Sequence, residues 1–107
     1  MFKLAIMSAV TLALVASAAH AQPEQTVRIG NLTFGPQSVT VSVGTTVTWI
    51  NGDDLPHTVV AVDKTFRSKP LDTGDSFSFT FAKAGEYAYF CSIHPMMTGK
   101  VIVKPSP

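Results

Sequence analysis

Cysteine is almost absent from this sequence, and so is any excess of charge. The chain of 107 residues contains one cysteine, Cys91, so it cannot form an internal disulfide. Eight basic residues are balanced by seven acidic ones. A nearly neutral chain lacks the one-sided electric field that attracts nucleic acids or anionic membranes. We therefore expect neither of these as a partner.

The sequence also lacks an apolar run long enough to cross a membrane. Its longest apolar segment extends from Leu4 to Ala19, which is shorter than the roughly 20 residues that a spanning helix needs. Lys3 precedes this segment and an Ala-His-Ala sequence ends at Ala21, a pattern typical of a secretory signal peptide. We predict a signal peptide over residues 1–21, a periplasmic location for the remainder, and no stable membrane insertion.

Helical periodicity is missing from residues 22–107, where apolar and polar residues alternate instead. Gly, Pro, Asn and Asp separate the alternating segments. This pattern predicts one domain over residues 22–107, an all-β sandwich or small barrel of seven to eight short strands. The alternating apolar positions are Val27, Ile29, Val39, Val41, Val43, Val47, Trp49, Phe77, Phe79, Phe81, Tyr87, Tyr89, Val101 and Val103.

Two local expectations follow from this alternation. The pair Gly44-Thr45 lies between two alternating segments and predicts a tight hairpin turn that pairs them. The alternation is expected to place one set of aromatic residues on a shared face, which would be the core: Trp49, Phe77, Phe79 and Phe81.

Metal-ligating side chains are concentrated in one short segment, Cys91-Ser-Ile-His-Pro-Met-Met97. Outside the predicted signal peptide it holds the only cysteine, both methionines and one of two histidines, and the other histidine is His57. A thiolate, imidazoles and a thioether suit copper in both of its oxidation states. Each residue alone has a plainer explanation, since a lone buried cysteine is usually part of a core. Their joint occurrence predicts a metal site.

An enzyme is the alternative that the same residues raise. Cys91 and His94 could act as a thiol nucleophile and its base, but no substrate cleft is indicated. Asp53, Asp54 and His57 imitate part of a hydrolase triad, yet no serine stands in a nucleophile-elbow context. We therefore predict that the chain is not an enzyme.

Two motifs resemble those of the cupredoxins, the blue-copper proteins: Cys91-x-x-His94-x-x-Met97-x-Gly99 and Asn51-x-x-x-x-Pro56-His57. The short last loop resembles that of the amicyanins more than those of plastocyanins or pseudoazurins. The resemblance implies a Greek-key β-sandwich with one copper ion per chain, cycling between Cu(I) and Cu(II). One departure is Thr58, where an asparagine often follows the first histidine ligand.

The resemblance also implies a ligand set and a role. His57, Cys91 and His94 would bind copper in a trigonal plane, with Met97 as the weak axial ligand and Met96 as its rival. The chain would be a soluble, monomeric one-electron carrier between redox proteins such as a dehydrogenase, a c-type cytochrome or a reductase. A periplasmic copper-binding or delivery protein with the same site is the alternative function.

Overall fold

The computed structural model describes residues 23–106, so the predicted signal peptide at 1–21 lies outside the described residues. Within that range the chain forms eight strands and no helix, and thus no helix there is long and apolar enough to cross a bilayer. The strands are β1 (Glu24–Gly30), β2 (Thr33–Gly35), β3 (Ser38–Ser42), β4 (Thr46–Asn51), β5 (Val60–Ala61), β6 (Ser76–Thr80), β7 (Gly85–Phe90) and β8 (Thr98–Lys104).

The strands form two sheets of four, which confirms the predicted all-β sandwich. One sheet has the order β2-β1-β4-β6 and the other has the order β3-β8-β7-β5. Both sheets are mixed, because β1 pairs with β4 and β3 pairs with β8 in parallel while the other pairs are antiparallel. The parallel pairing of β1 with β4 places the first strand of the domain beside a strand from the middle of the chain.

The core lies between the sheets and follows from the alternation of apolar residues. In β4, Val47 and Trp49 are buried while their neighbours are half-buried. Phe81 is also buried, and Phe77 and Phe79 pack against the core while remaining partly exposed. The largest fully buried apolar side chains are Trp49, Tyr89, Phe81, Ile29, Val27, Val47, Val59 and Val101.

The predicted hairpin at Gly44-Thr45 is wrong. β3 and β4 belong to different sheets, so the turn crosses from one sheet to the other. The N–H of Thr45 donates to the carbonyl of Ser42 at 3.1 Å, and Gly44 has φ of 92°. A positive φ at the third turn position suits glycine. The turn alone therefore explains why glycine stands at position 44, and no hairpin is needed.

The β-branched run after His57 forms only a short strand. β5 contains just Val60 and Ala61, whereas His57 makes an isolated bridge to Leu71. This irregular segment lies between β4 and β5, and it brings His57 to the end of the sandwich where β7 also ends.

Candidate metal centre

The loop between β7 and β8 is closed by its own backbone. The N–H of Cys91 donates to the carbonyl of Met97 at 3.0 Å, and the N–H of Met97 donates to the carbonyl of His94 at 2.9 Å. Cys91 follows β7 directly and Met97 precedes β8 directly. Two strands therefore hold both ends of a seven-residue loop that carries three of the four predicted ligands.

His57 is held by the segment that follows β4. Its N–H and carbonyl bond to the carbonyl and N–H of Leu71 at 3.1 and 2.7 Å. The buried amide of Asn51 donates to the carbonyls of Leu55 and Leu71 at 2.9 and 2.8 Å. Asn51 thereby fixes the turn that leads through Pro56 to His57, which explains its place in the motif.

The side chains of His57, Cys91 and His94 converge on one point. Their donor atoms all lie within 4.8 Å of one another. The sulfur of Cys91 is 3.7 Å from Nδ1 of His57 and 3.9 Å from Nδ1 of His94. Two donors on one metal ion, each with a bond of about 2.0–2.3 Å, lie at most about 4.4 Å apart. Both sulfur–nitrogen distances are within this limit, so Cys91 can share a metal ion with either histidine.

His57 has its two ring nitrogens in different surroundings. Nε2 lies 3.0 Å from Oδ2 of Asp53, while Nδ1 faces the sulfur of Cys91. An ionised carboxylate only accepts hydrogen bonds, so Nε2 carries a proton and Nδ1 is the ring nitrogen that faces the cluster. Nδ1 can ligate a metal there once it carries no proton of its own.

The sulfur of Cys91 lies in surroundings that favour the thiolate. Burial raises the pKa of the Cys91 thiol, but the backbone N–H of Thr58 at 3.3 Å and the side chains of His57 and His94 lower it. The net pKa is about 6, well below the ordinary 9.0. A thiolate is the form of cysteine that binds metals, so the donor set fits a soft cation such as copper.

The two methionines of the loop differ sharply in burial. Met97 is 5% exposed and belongs to the core, whereas Met96 is 95% exposed. Of the two predicted axial ligands, Met97 is therefore on the side of the buried donors.

The sequence reading missed several residues around this centre. In the sequence Asp53 imitates only part of a hydrolase triad, and its spacing of four residues before His57 is the one signal of its contact with that ring. Leu32 and Ile93 were not singled out, yet each is about half exposed, as is Leu55. Leu32 and Ile93, together with the exposed Met96 and the half-buried His94, form an apolar surface over the candidate metal centre.

Comparison with known proteins identifies the family. The profile of the cupredoxin-like domain matches residues 4–103. This chain belongs to the cupredoxin-like family. The amicyanin of Paracoccus versutus is 37% identical over 83 residues, which are 73% of this chain and 63% of that protein. The plastocyanin of Tetradesmus obliquus is 39% identical over 88 residues, covering 70% of this chain and 61% of that protein.

Solved cupredoxins share the fold. A purple cupredoxin from Nitrosopumilus maritimus is 36% identical with a TM-score of 0.73, covering 75% of this chain and 99% of that one. A methionine-to-alanine variant of amicyanin in its Cu(I) form is 34% identical with a TM-score of 0.73, covering 82% and 89%. The match spans less than two thirds of the Paracoccus amicyanin and of the plastocyanin in their full curated lengths.

Family membership confirms the resemblance seen in the sequence. Together with the donor cluster, it confirms the predicted cofactor, one copper ion per chain. It also confirms that the chain is not an enzyme. The assignment of His57, Cys91, His94 and Met97 as the individual ligands stays a prediction.

Proposed function

We propose that this chain is a blue-copper protein that carries single electrons between redox proteins outside the cytoplasm. The observation that supports this most strongly is the cluster of His57, Cys91 and His94 at one end of a β-sandwich. These three residues would hold the ion, with Met97 as the weak fourth ligand. Bound copper supplies a one-electron couple between Cu(I) and Cu(II).

The rigidity of the cluster supports a carrier. The backbone bonds that close the loop at Cys91 and Met97 and pin His57 to Leu71 keep the donors in place without a metal. A site held in one arrangement rearranges little when its charge changes, which lowers the barrier to electron exchange.

Burial of the donors makes copper delivery the weaker alternative. Transfer of an ion to another protein needs an incoming ligand to reach the metal, yet His57 and Cys91 are fully buried and Met97 nearly so. Only His94 reaches the surface. We expect rapid electron exchange with redox proteins and no appreciable copper transfer to a metal-free acceptor. Transfer within minutes would favour the delivery function.

The apolar surface formed by Leu32, Ile93 and Met96 around His94 would receive the partner. An exposed apolar patch of this kind is typical of an interaction site. We expect a redox protein with an apolar rim around its own cofactor, such as a dehydrogenase, a c-type cytochrome or a reductase. The carrier itself would be a monomer.

The visible spectrum after addition of Cu(II) tests the site. We expect an intense sulfur-to-copper charge-transfer band, and its loss in Cys91→Ser, which keeps the size of the side chain. One relative is described as purple, so the intensity of the band, rather than its position, is the criterion. A colourless copper complex of the unaltered chain would contradict the proposal.

The axial ligand is tested by a matched pair of variants. Met97→Leu should keep copper bound but raise the reduction potential, because a weak thioether ligand is lost. Met96→Leu should change only the rate of electron exchange with a partner, because Met96 is on the surface. If Met96→Leu alone alters the spectrum, the assignment of Met97 is wrong.

Export is proposed from the sequence pattern of residues 1–21. The mass of the mature protein from periplasmic extracts should correspond to a chain that begins near Gln22. Recovery of the full-length chain from the cytoplasm alone would refute the assigned location.

A further inference from the structure

Thr58 lies between the predicted ligand His57 and the buried Val59, and Thr58 is itself buried. Its backbone N–H donates to the sulfur of Cys91 at 3.3 Å. Its hydroxyl oxygen Oγ1 lies 3.7 Å from the same sulfur. Oγ1 is also 2.7 Å from both the N–H and the hydroxyl of Ser92. These contacts of the Thr58 N–H and hydroxyl all lead to Cys91 or to its neighbour Ser92.

A count of protons decides the direction of the hydroxyl bonds. A hydroxyl group has one proton to donate and two lone pairs that accept. The N–H of Ser92 occupies one lone pair of Oγ1. The Thr58 proton then points either to the hydroxyl oxygen of Ser92 or to the sulfur of Cys91.

The sulfur is the better acceptor for this proton. A metal-bound cysteine is a thiolate, and hydrogen bonds to charged acceptors are about twice as strong as neutral ones. Ser92 is exposed and can use water as a partner in either direction. If Thr58 donated to Ser92 instead, a lone pair of Oγ1 would face the negative sulfur without a proton between them, which is unfavourable.

We propose that the Thr58 hydroxyl is a second hydrogen-bond donor to the Cys91 thiolate, oriented by Ser92, and that it raises the reduction potential of the copper site. This inference rests on the proposed blue-copper function. Thr58 acts through Cys91 and does not touch the metal, so it is a positioning residue.

The sign of the effect follows from the charge on sulfur. Hydrogen bonds to a metal-bound thiolate withdraw electron density from it and are one of the factors that set the potential of sulfur-ligated metals. Cu(II) draws more electron density from the thiolate than Cu(I) does. Donors to sulfur therefore favour the reduced site.

Three variants of the copper-loaded full chain test the role of the hydroxyl. Thr58→Val removes it at constant size, and we expect about a tenfold shift toward Cu(II), equal to about 59 mV for one electron. Thr58→Ser restores the hydroxyl, so its Cu(I)/Cu(II) equilibrium constant should lie within a factor of two of that of the unaltered protein. Ser92→Ala keeps the backbone N–H and should give a smaller shift than Thr58→Val, in the same direction.

Thr58→Ala provides a second variant without the hydroxyl, in case the valine chain folds poorly. The inference would be overturned if both hydroxyl-free variants had a Cu(I)/Cu(II) equilibrium constant within a factor of two of that of the unaltered protein. So would an equal shift in Thr58→Ser, because packing rather than the hydroxyl would then be responsible. An intact charge-transfer band in all variants shows that such a failure concerns Thr58 alone. Absence of the band in the unaltered protein would instead refute the blue-copper function, and this inference with it.

Discussion

Asp53 connects the buried metal centre with the exposed surface above it. Its Oδ2 atom lies 3.0 Å from Nε2 of His57 and accepts the N–H of Leu32, also at 3.0 Å, while Oδ1 accepts the N–H of Asp54 at 2.8 Å. The N–H of Leu32, followed by the side chain of His57, lowers the pKa of the Asp53 carboxyl below its usual value. A single carboxylate thus orients a predicted ligand and the turn that presents Leu32.

Replacement of Asp53 by alanine should weaken copper binding. Without the carboxylate, the proton of His57 is no longer fixed on Nε2, and the ring can rotate or adopt the other tautomer. Loss of such an outer partner of a metal-bound histidine typically lowers metal affinity about 10- to 100-fold. A competition titration with a Cu(I) chelator should measure this loss.

Asp54→Ala is the matched control, since it removes the same charge one residue further along the chain. Asp54 is exposed, and it contacts Asp53 through its backbone N–H, which alanine keeps. We expect its copper affinity to remain within about twofold of the unaltered protein. Equal losses in both variants would mean that net charge, rather than orientation of His57, controls the affinity.

The residues of the centre differ in how far the sequence could predict them. Cys91, His94 and Met97 lie within one loop, so their spacing carries the prediction. Asp53 could not be assigned in this way, because an aspartate before a histidine is common in turns and only folding shows which ring nitrogen it meets. The spacing also favours Met97 over Met96 as the axial ligand, and the burial of Met97 with the exposure of Met96 agrees with that prediction.

At the scale of the elements, the contact between β7 and β8 limits what position 99 can hold. Gly99 lies opposite Tyr89 in the register of these strands. A Cβ atom on Gly99 would collide with Cζ and the hydroxyl oxygen of Tyr89 and lie 2.8 Å from Cε2. The Tyr89 ring is fully buried against Phe34 and Trp49, so it has little room to move away.

Gly99→Ala should therefore destabilise the metal-free protein. Inserting a methyl group into a closely packed contact costs about 1–3 kcal/mol, and occasionally more. Gly30→Ala is the control, because a Cβ there has no neighbour within 4 Å. Urea unfolding of the two variants should show a lower midpoint for Gly99→Ala only. A similar midpoint for both would show that Tyr89 adapts at low cost.

Strand pairing was the part of the fold that the sequence predicted least well. Alternation located the strands because it depends on which face of each strand is buried. It did not show that β3 pairs with β8 and β4 with β1, since these partners are distant in the chain. A turn such as Gly44-Thr45 has the same local chemistry whether it joins paired strands or crosses between sheets.

At the scale of the whole molecule, Tyr89 connects the two sheets. It belongs to β7 and contacts Phe34 of β2 and Trp49 of β4, with ring centroids 4.7 and 5.3 Å apart. Within residues 23–106 its hydroxyl has no hydrogen-bond partner by distance and angle. Burial raises the pKa of Tyr89 to about 12, from an ordinary value of 10.0, although the Trp49 side chain opposes this.

This shift makes global stability depend on pH in the alkaline range. The folded protein holds the Tyr89 proton more tightly than the unfolded chain, so stability is fully present below pH 10 and is lost as the pH rises toward 12. Two pKa units correspond to roughly 2–3 kcal/mol.

Urea unfolding of the metal-free protein between pH 9 and 12 should show this loss, and Tyr89→Phe should reduce it, because phenylalanine has no proton to release. At neutral pH the same substitution should be nearly neutral, since it removes a buried hydroxyl that has no partner. Parallel pH profiles for the two proteins would show that other groups cause the alkaline loss and that the hydroxyl is not buried in solution.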